Sequence, residues 1–158
     1  IQVGDKLPQI TVSTMTEEGP KPVSMEELCA GKKVVLFAVP GAFTPTCSVQ
    51  HLPGFVTNAG NLKEKGVDVV ACISVNDPFV MGAWGKDRSA GEEVLMLADG
   101  NAEFTSAVGL EMDGSGFGLG KRSQRYAMII DDGVVSTLNV ESGPSVDVSS
   151  AEAILAAL

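Results

Sequence analysis

Cys47 closes the stretch Pro40-Gly41-Ala42-Phe43-Thr44-Pro45-Thr46-Cys47, which follows directly on an apolar run over 33–39. Thr44 can cap a helix N-terminus, and Pro45 suits the first helical position, where no N–H is required. Cys47 then falls in the first helical turn. There the unpaired backbone N–H groups and the helix dipole favour a thiolate over a thiol. A strand, a sharp turn and a cysteine at the head of a helix together hold a sulfur nucleophile.

Other reactive residue types are scarce, which excludes several chemistries. The chain has three cysteines, at 29, 47 and 72, with no CxxC pair, and its one histidine is His51. Without a CxxC pair and with a single histidine, a structural zinc site is not expected. The odd, low cysteine count fits reduced thiols in a reducing compartment rather than a disulfide-built scaffold. His51 lies four residues after Cys47 and reads as a capping or rim residue rather than as the base of a Cys–His pair. Cys29, before Ala30-Gly31 at a helix end, reads as small filler. Gly114-Ser-Gly-Phe-Gly-Leu-Gly120 lacks the context of a dinucleotide loop and reads as a flexible loop leading to Arg125.

The bulk numbers agree with a soluble enzyme-sized domain. At 158 residues with 44% hydrophobic content, the chain is expected to form a single domain over 1–158 with a full core. A net charge of −9 without a basic cluster argues against a nucleic-acid partner. No apolar stretch reaches spanning length, so no membrane is expected. The first residues already read as domain. A cytoplasmic location is therefore expected, or an organellar one if a transit peptide has been removed.

The elements that must position Cys47 follow from pattern. An extended segment covers 9–14, and Ser24-Met25-Glu26-Glu27 is a capping box for a short helix. Residues 33–39 form a buried strand. The helix after Pro45 carries Val49, Leu52, Val56, Ala59 and Leu62 on one face. Pro53 kinks it, because its ring crowds the Val49 carbonyl. A strand over 68–75 completes a right-handed parallel unit. Asp77-Pro78 opens the next helix, to about Asp87, with Phe79, Met81 and Trp84 as a core or contact stripe. A strand over 94–97 and a helix over 102–108 follow. Strands over 126–130 and 134–140 flank the hairpin signal Asp132-Gly133. Ser149-Ser150-Ala151-Glu152 caps a final helix. This order describes an α/β, thioredoxin-like fold, a mixed sheet with helices on both faces.

That topology places Arg125. The C-terminal ends of the parallel strands form the rim where Cys47 emerges, and an antiparallel strand begins at the same rim. If Tyr126 opens such a strand, Arg125 stands just before it and can point toward Cys47. Arg122 is the substitute.

With Cys47, Thr44, Pro40 and Arg125 collected, the sequence resembles the peroxiredoxin family. Pro40-Gly-Ala-Phe-Thr-Pro-Thr-Cys47, with His51-Leu-Pro-Gly-Phe55 downstream, is similar to that family's active-site signature. The likeness is to the branch containing the plant type II and mammalian type 5 enzymes. Cys72-Ile-Ser-Val-Asn-Asp-Pro-Phe-Val-Met81 and Arg125-Tyr-Ala-Met-Ile-Ile-Asp-Asp-Gly133 extend it over nearly the whole chain. The resemblance implies a thiol peroxidase reducing hydrogen peroxide and alkyl hydroperoxides through a sulfenic acid at Cys47. It also implies thioredoxin, glutaredoxin or glutathione as reductant, no cofactor, and a homodimer.

The residues support this chemistry on their own terms. A thiolate attacking an O–O bond develops negative charge on the leaving oxygen, and donors aimed at both oxygens lower the barrier. Thr44 is expected to donate from its hydroxyl, Cys47 from its backbone N–H, and Arg125 from a fork that stays cationic. Pro40 offers a rigid apolar wall. A second thiol must attack the sulfenic product. Resemblance to the plant type II branch points to Cys72, late in the strand after the Cys47 helix. A core role for Cys72, with direct reduction by glutathione or glutaredoxin, is the other reading. The mammalian type 5 pattern places a cysteine near the C-terminus, and residues 141–149 contain none. A redox sensor or a thiol–disulfide exchange protein is the alternative function. The exchange protein is disfavoured because Thr44 stands where a CxxC motif places its first cysteine.

Overall fold

A computed structural model describes residues 1–158. The chain opens on an antiparallel pair, β1 (Thr11–Thr16) and β2 (Gly19–Ser24), then the short helix α1 (Met25–Cys29). Next come β3 (Lys33–Ala38), a π turn (Cys47–His51), α2 (Leu52–Glu64), β4 (Val69–Ser74), α3 (Pro78–Asp87), β5 (Leu95–Ala98) and α4 (Glu103–Val108). A ribbon of β6 (Glu111–Asp113) and β7 (Lys121–Ser123) precedes the hairpin β8 (Tyr126–Asp131) and β9 (Val134–Val140), and α5 (Ala151–Ala157) ends the chain. Seven strands form one sheet in the order β2-β1-β5-β4-β3-β8-β9. β3, β4 and β5 are parallel, and β8 runs antiparallel to β3.

Alternation along the central strands builds two cores. Val35, Phe37, Val70, Cys72, Ala127 and Ile129 face one side, packed with Cys47, Leu52 and Phe55 of the π turn and α2 and with Met81 and Trp84 of α3. Val34, Leu36, Ala71, Ile73, Met128 and Ile130 face the other, against Met25 and Cys29 of α1 and Phe104 and Val108 of α4. Residues two apart share a face and neighbours oppose, so a sheet covered on both sides needs continuously apolar strands. The expected α/β mixed sheet with helices on both faces is what forms.

Local signals did most of this work. The Ser24 hydroxyl accepts from the Glu27 N–H at 3.3 Å, the Asp77 carboxylate from Val80 N–H at 2.8 Å, and the Ser150 hydroxyl from Ala153 N–H at 3.1 Å. Asp132 and Gly133 take φ of 49° and 80°, the left-handed pair that a tight hairpin requires.

Three expectations change. β2 escapes sequence patterning because Pro20 and Pro22 cannot donate to a ladder, which confines the strand to the sheet edge it occupies. The glycine-rich loop is instead a turn within the β6–β7 ribbon, with Gly114 N–H donating to the Gly120 carbonyl at 2.7 Å. Val49 leaves the buried helix face and is 67% exposed, while Phe55 is fully buried. The π turn explains this. Leu52 N–H bonds to the Cys47 carbonyl five residues back, and the wider turn rotates the preceding side chains out of phase. Pro53 falls in the first turn of α2, where a missing N–H is tolerated.

Candidate active site

The rim at the C-terminal ends of β3 and β4 carries the site. After β3 the chain turns through Gly41-Ala42-Phe43, with Phe43 at φ 64°, a conformation a bulky side chain adopts only when held there. Two contacts hold it. Ala42 N–H donates to Asn76 Oδ1 at 3.0 Å, and Ser74 Oγ donates to the same oxygen at 2.6 Å. Pro45 then takes the first helical position and Ser48 N–H bonds to the Thr44 carbonyl at 3.0 Å. Cys47 thus lies in the opening turn of the helix, as its sequence context predicts.

Thr44 differs from expectation. Its hydroxyl does not cap the helix but donates to the Gly41 carbonyl at 2.6 Å. A hydroxyl has one proton, so Thr44 turns lone pairs, not a donor, toward a bound molecule. The backbone N–H groups of Thr46 and Cys47 donate to no protein acceptor. That leaves an unsatisfied helix end beside the sulfur, suited to negative charge.

Arg125 closes the site from the opposite strand. It precedes β8, and its Nη2 donates to Cys47 Sγ at 3.1 Å. Both groups are buried, Cys47 completely and Arg125 at 8% exposure, so the attraction acts with little screening. Arg122 is elsewhere. It donates from Nε to the Leu119 carbonyl at 2.9 Å and from Nη1 to the Pro40 carbonyl at 3.5 Å, bracing the ribbon against the loop. A cleft of about 710 Å³ opens at Thr44 and Arg125, outside the buried Cys47, and is lined also by Pro40, Met112, Phe117 and Leu119.

His51 is neither rim nor capping residue. It is buried, its ring lies against Phe37 and Phe55 at 4.9 and 5.7 Å between centroids, and its Nδ1 accepts from Arg125 Nη1 at 2.9 Å. Burial, reinforced by the Arg125 charge, pushes its pKa down to about 4, so the imidazole is neutral near pH 7. The i+4 spacing from Cys47 was the available signal, but the Arg125 partner comes from a strand 74 residues away. A hydrogen-bonded link from Cys47 to this imidazole runs through the guanidinium.

Cys72 lies on β4, in the same core cluster as Cys47, with both thiols free. Burial, and the nearby Cys47 sulfur, hold its pKa well above the ordinary thiol value. Cys29, the last residue of α1, packs in the opposite core, its pKa pushed up to about 11 by burial, and has no part in the site. Of the predicted stripe, Met81 and Trp84 are buried, and Trp84 Nε1 donates to Ser48 Oγ at 2.9 Å. Phe79 is 65% exposed.

The chain is similar to known proteins. The Redoxin family model matches residues 2–155. The chain is 56% identical over 162 residues to the chloroplastic peroxiredoxin-2E of Arabidopsis thaliana, covering all of this chain and 69% of that protein. It is 53% identical over 159 residues to Arabidopsis thaliana peroxiredoxin-2B, covering 100% and 98% of the two chains. Among solved structures, reduced Prx3 from Vibrio vulnificus in complex with hydrogen peroxide superposes with a TM-score of 0.95 at 63% identity, over 99% and 98% of the chains. Oxidized Prx3 from the same organism gives 0.92 at 64% identity, over 100% and 99%.

Proposed function

The chain belongs to the Redoxin family and is a peroxiredoxin, a thiol-dependent peroxidase; from that premise we propose that Cys47 is the nucleophile that reduces the peroxide. The observation that carries this is the 3.1 Å contact from the Arg125 guanidinium to Cys47 Sγ, at a helix end whose N–H groups are free.

A hydroperoxide entering the cleft meets groups of complementary polarity. Thr44 Oγ1 accepts the hydroperoxide O–H, while Cys47 N–H and Arg125 donate to the oxygens. The thiolate attacks one oxygen along the O–O axis. The S–O bond forms as the O–O bond breaks, and the departing alkoxide or hydroxide takes a proton to leave as alcohol or water. Donors aimed at charge that grows in the transition state lower this barrier more than they stabilise the bound reactant. Pro40 walls the sulfur from bulk water. The apolar side of the cleft, Met112, Phe117 and Leu119, suits small alkyl hydroperoxides as well as hydrogen peroxide.

Cys72 is the proposed resolving thiol, supported by its place in the same core cluster as Cys47. Its attack on the sulfenic acid forms the disulfide and releases water, and a dithiol reductant of the thioredoxin type returns both cysteines to thiols. Burial works against this step, because a thiol held neutral is a poor nucleophile, so the π turn must open first. That same burial favours a second reading, in which glutathione or glutaredoxin attacks Cys47 directly. A homodimer belongs to the same proposal. Phe43 and Phe79 are exposed beside the site, a place where a second copy can cover them.

Intact mass of the reduced protein after one equivalent of hydrogen peroxide tests the cycle. Loss of two hydrogens, absent in Cys47→Ser, supports resolution by Cys72. Gain of one oxygen at Cys47 assigns resolution to an external thiol. No change within seconds sinks Cys47 as the nucleophile.

A further inference from the structure

We propose that Asn76 is a positioning residue for Thr44. By holding the Gly41–Ala42 peptide in one orientation, it makes Thr44 meet the hydroperoxide with lone pairs rather than with its proton. The proposal rests on the reading of Thr44 Oγ1 above as the acceptor of the hydroperoxide O–H. The Gly41 carbonyl and the Ala42 N–H belong to one planar trans peptide and point to opposite sides of it. Asn76 Oδ1 accepts from Ala42 N–H at 3.0 Å, and on the other side the Gly41 carbonyl accepts from Thr44 Oγ1 at 2.6 Å. Fixing the N–H therefore fixes the carbonyl, and the carbonyl takes the only proton that the Thr44 hydroxyl has.

The turn that carries this peptide does not hold itself. Thr44 N–H closes it on the Gly41 carbonyl at 3.4 Å, a long bond. Phe43 occupies its third position with φ of 64°, where glycine is the usual residue. An outside anchor must hold it, and Asn76 supplies one. Ser74, the last residue of β4 and fully buried, donates from Oγ to the same Asn76 oxygen at 2.6 Å, so both lone pairs of that oxygen are engaged. Ser74 is itself fixed in the sheet, in register with Ala98 of β5, and its carbonyl accepts from Asp99 N–H at 2.9 Å. The sheet thus reaches the Thr44 hydroxyl through three hydrogen bonds and one peptide plane. Were that peptide to turn over, the Gly41 carbonyl would leave the hydroxyl. The Thr44 proton would then face the cleft and oppose the hydroperoxide O–H.

The test compares two reactions of Cys47, reduction of hydrogen peroxide and alkylation by iodoacetamide, which brings no O–H for Thr44 to accept. Asn76→Leu nearly keeps the size of the side chain and removes the acceptor. It is expected to slow the peroxide reaction roughly fivefold while changing alkylation by less than about twofold, since only the first uses the oriented hydroxyl. Asn76→Asp, whose carboxylate still accepts from Ala42 N–H and Ser74 Oγ, is expected to recover most of the rate. In a Thr44→Val background, Asn76→Leu is expected to cost nothing further, because no hydroxyl is left to orient. Equal falls in both reactions, no recovery in Asn76→Asp, or a full additional cost without the hydroxyl would overturn the proposal. A Thr44→Val enzyme with the wild-type peroxide rate would instead remove the reading of Thr44 on which it rests. Should Asn76→Leu fail to fold, Ser74→Ala loosens the same anchor from the sheet side. A peroxide rate lowered about twofold with alkylation unchanged supports the proposal, and an unaltered rate counts against it.

Discussion

Two strand-to-helix turns stand on the same rim of the sheet, start from the same sequence device and end differently. After β4, Pro78 takes the first helical position and the Asp77 carboxylate accepts from Val80 N–H at 2.8 Å, so the helix end is closed by its own side chain. After β3, Pro45 takes the same position, but the Thr44 hydroxyl turns back to the Gly41 carbonyl at 2.6 Å, and the N–H groups of Thr46 and Cys47 stay free. A capped helix end has spent its donors on the fold. An uncapped one keeps them for a ligand. The first turn is scaffold, and through Asn76 it braces the loop of the second.

The sharpest way to break this contrast is to remove the sulfur. Cys47→Ser is expected to abolish peroxide consumption, measured by peroxide loss with excess reductant, because neither Cys29 nor Cys72 lies at an open helix end. Next in size, Arg125→Lys is expected to lower the second-order rate constant by roughly 10²-fold, since a point charge cannot bond Cys47 and His51 together as the fork does. Stopped-flow kinetics at wild-type speed would show the fork to be dispensable.

The two turns can also be tested against each other. Thr44→Val is expected to slow peroxide reduction by about tenfold, since it removes an acceptor from the open end, and to cost about 1 kcal/mol of stability for the lost bond to Gly41. Asp77→Ala is expected to affect stability alone. Losing the cap costs about 1 kcal/mol in urea unfolding, with the rate constant preserved. Equal effects of the two changes on rate would mean that the turns are not specialised.

The last effect is a pH dependence of stability. The folded-state pKa of His51 is depressed from 6.5 to about 4, so between those values the unfolded chain binds the extra proton. Stability is then full above pH 6.5 and declines as pH falls toward 4, by about 3 kcal/mol in all. Glu141 acts with the same sign at lower pH. Burial alone would raise its pKa, but the hydrogen bonds from Ser149 and Asp147 outweigh burial and lower it. Urea midpoints against pH should show the decline in the wild type and lose most of it in His51→Gln. An unchanged slope would place the titration elsewhere.

Much of this was legible in the sequence because it is local. Caps at Ser24, Asp77 and Ser150, the Asp132-Gly133 hairpin and the apolar strands act through residues a few positions apart, and all appear where their patterns put them. The rim position of Arg125 was legible for a related reason, since strand direction in a mixed sheet fixes which end of β8 meets the Cys47 turn. β2 was hidden by prolines that an edge tolerates, and the exposure of Val49 by a π turn that breaks helical periodicity.

By itself, then, the sequence determined the helix start after Pro45, the cysteine in its first turn and the layers that carry both, because short-range sterics and hydrophobic alternation govern those choices. Only the tertiary structure decided what His51, Thr44 and Glu141 do. Each of the three can make several bonds, and packing selects one. His51 became an acceptor for Arg125 because Phe37 and the Ser149 carbonyl enclose it, partners from segments brought together only when the sheet closes.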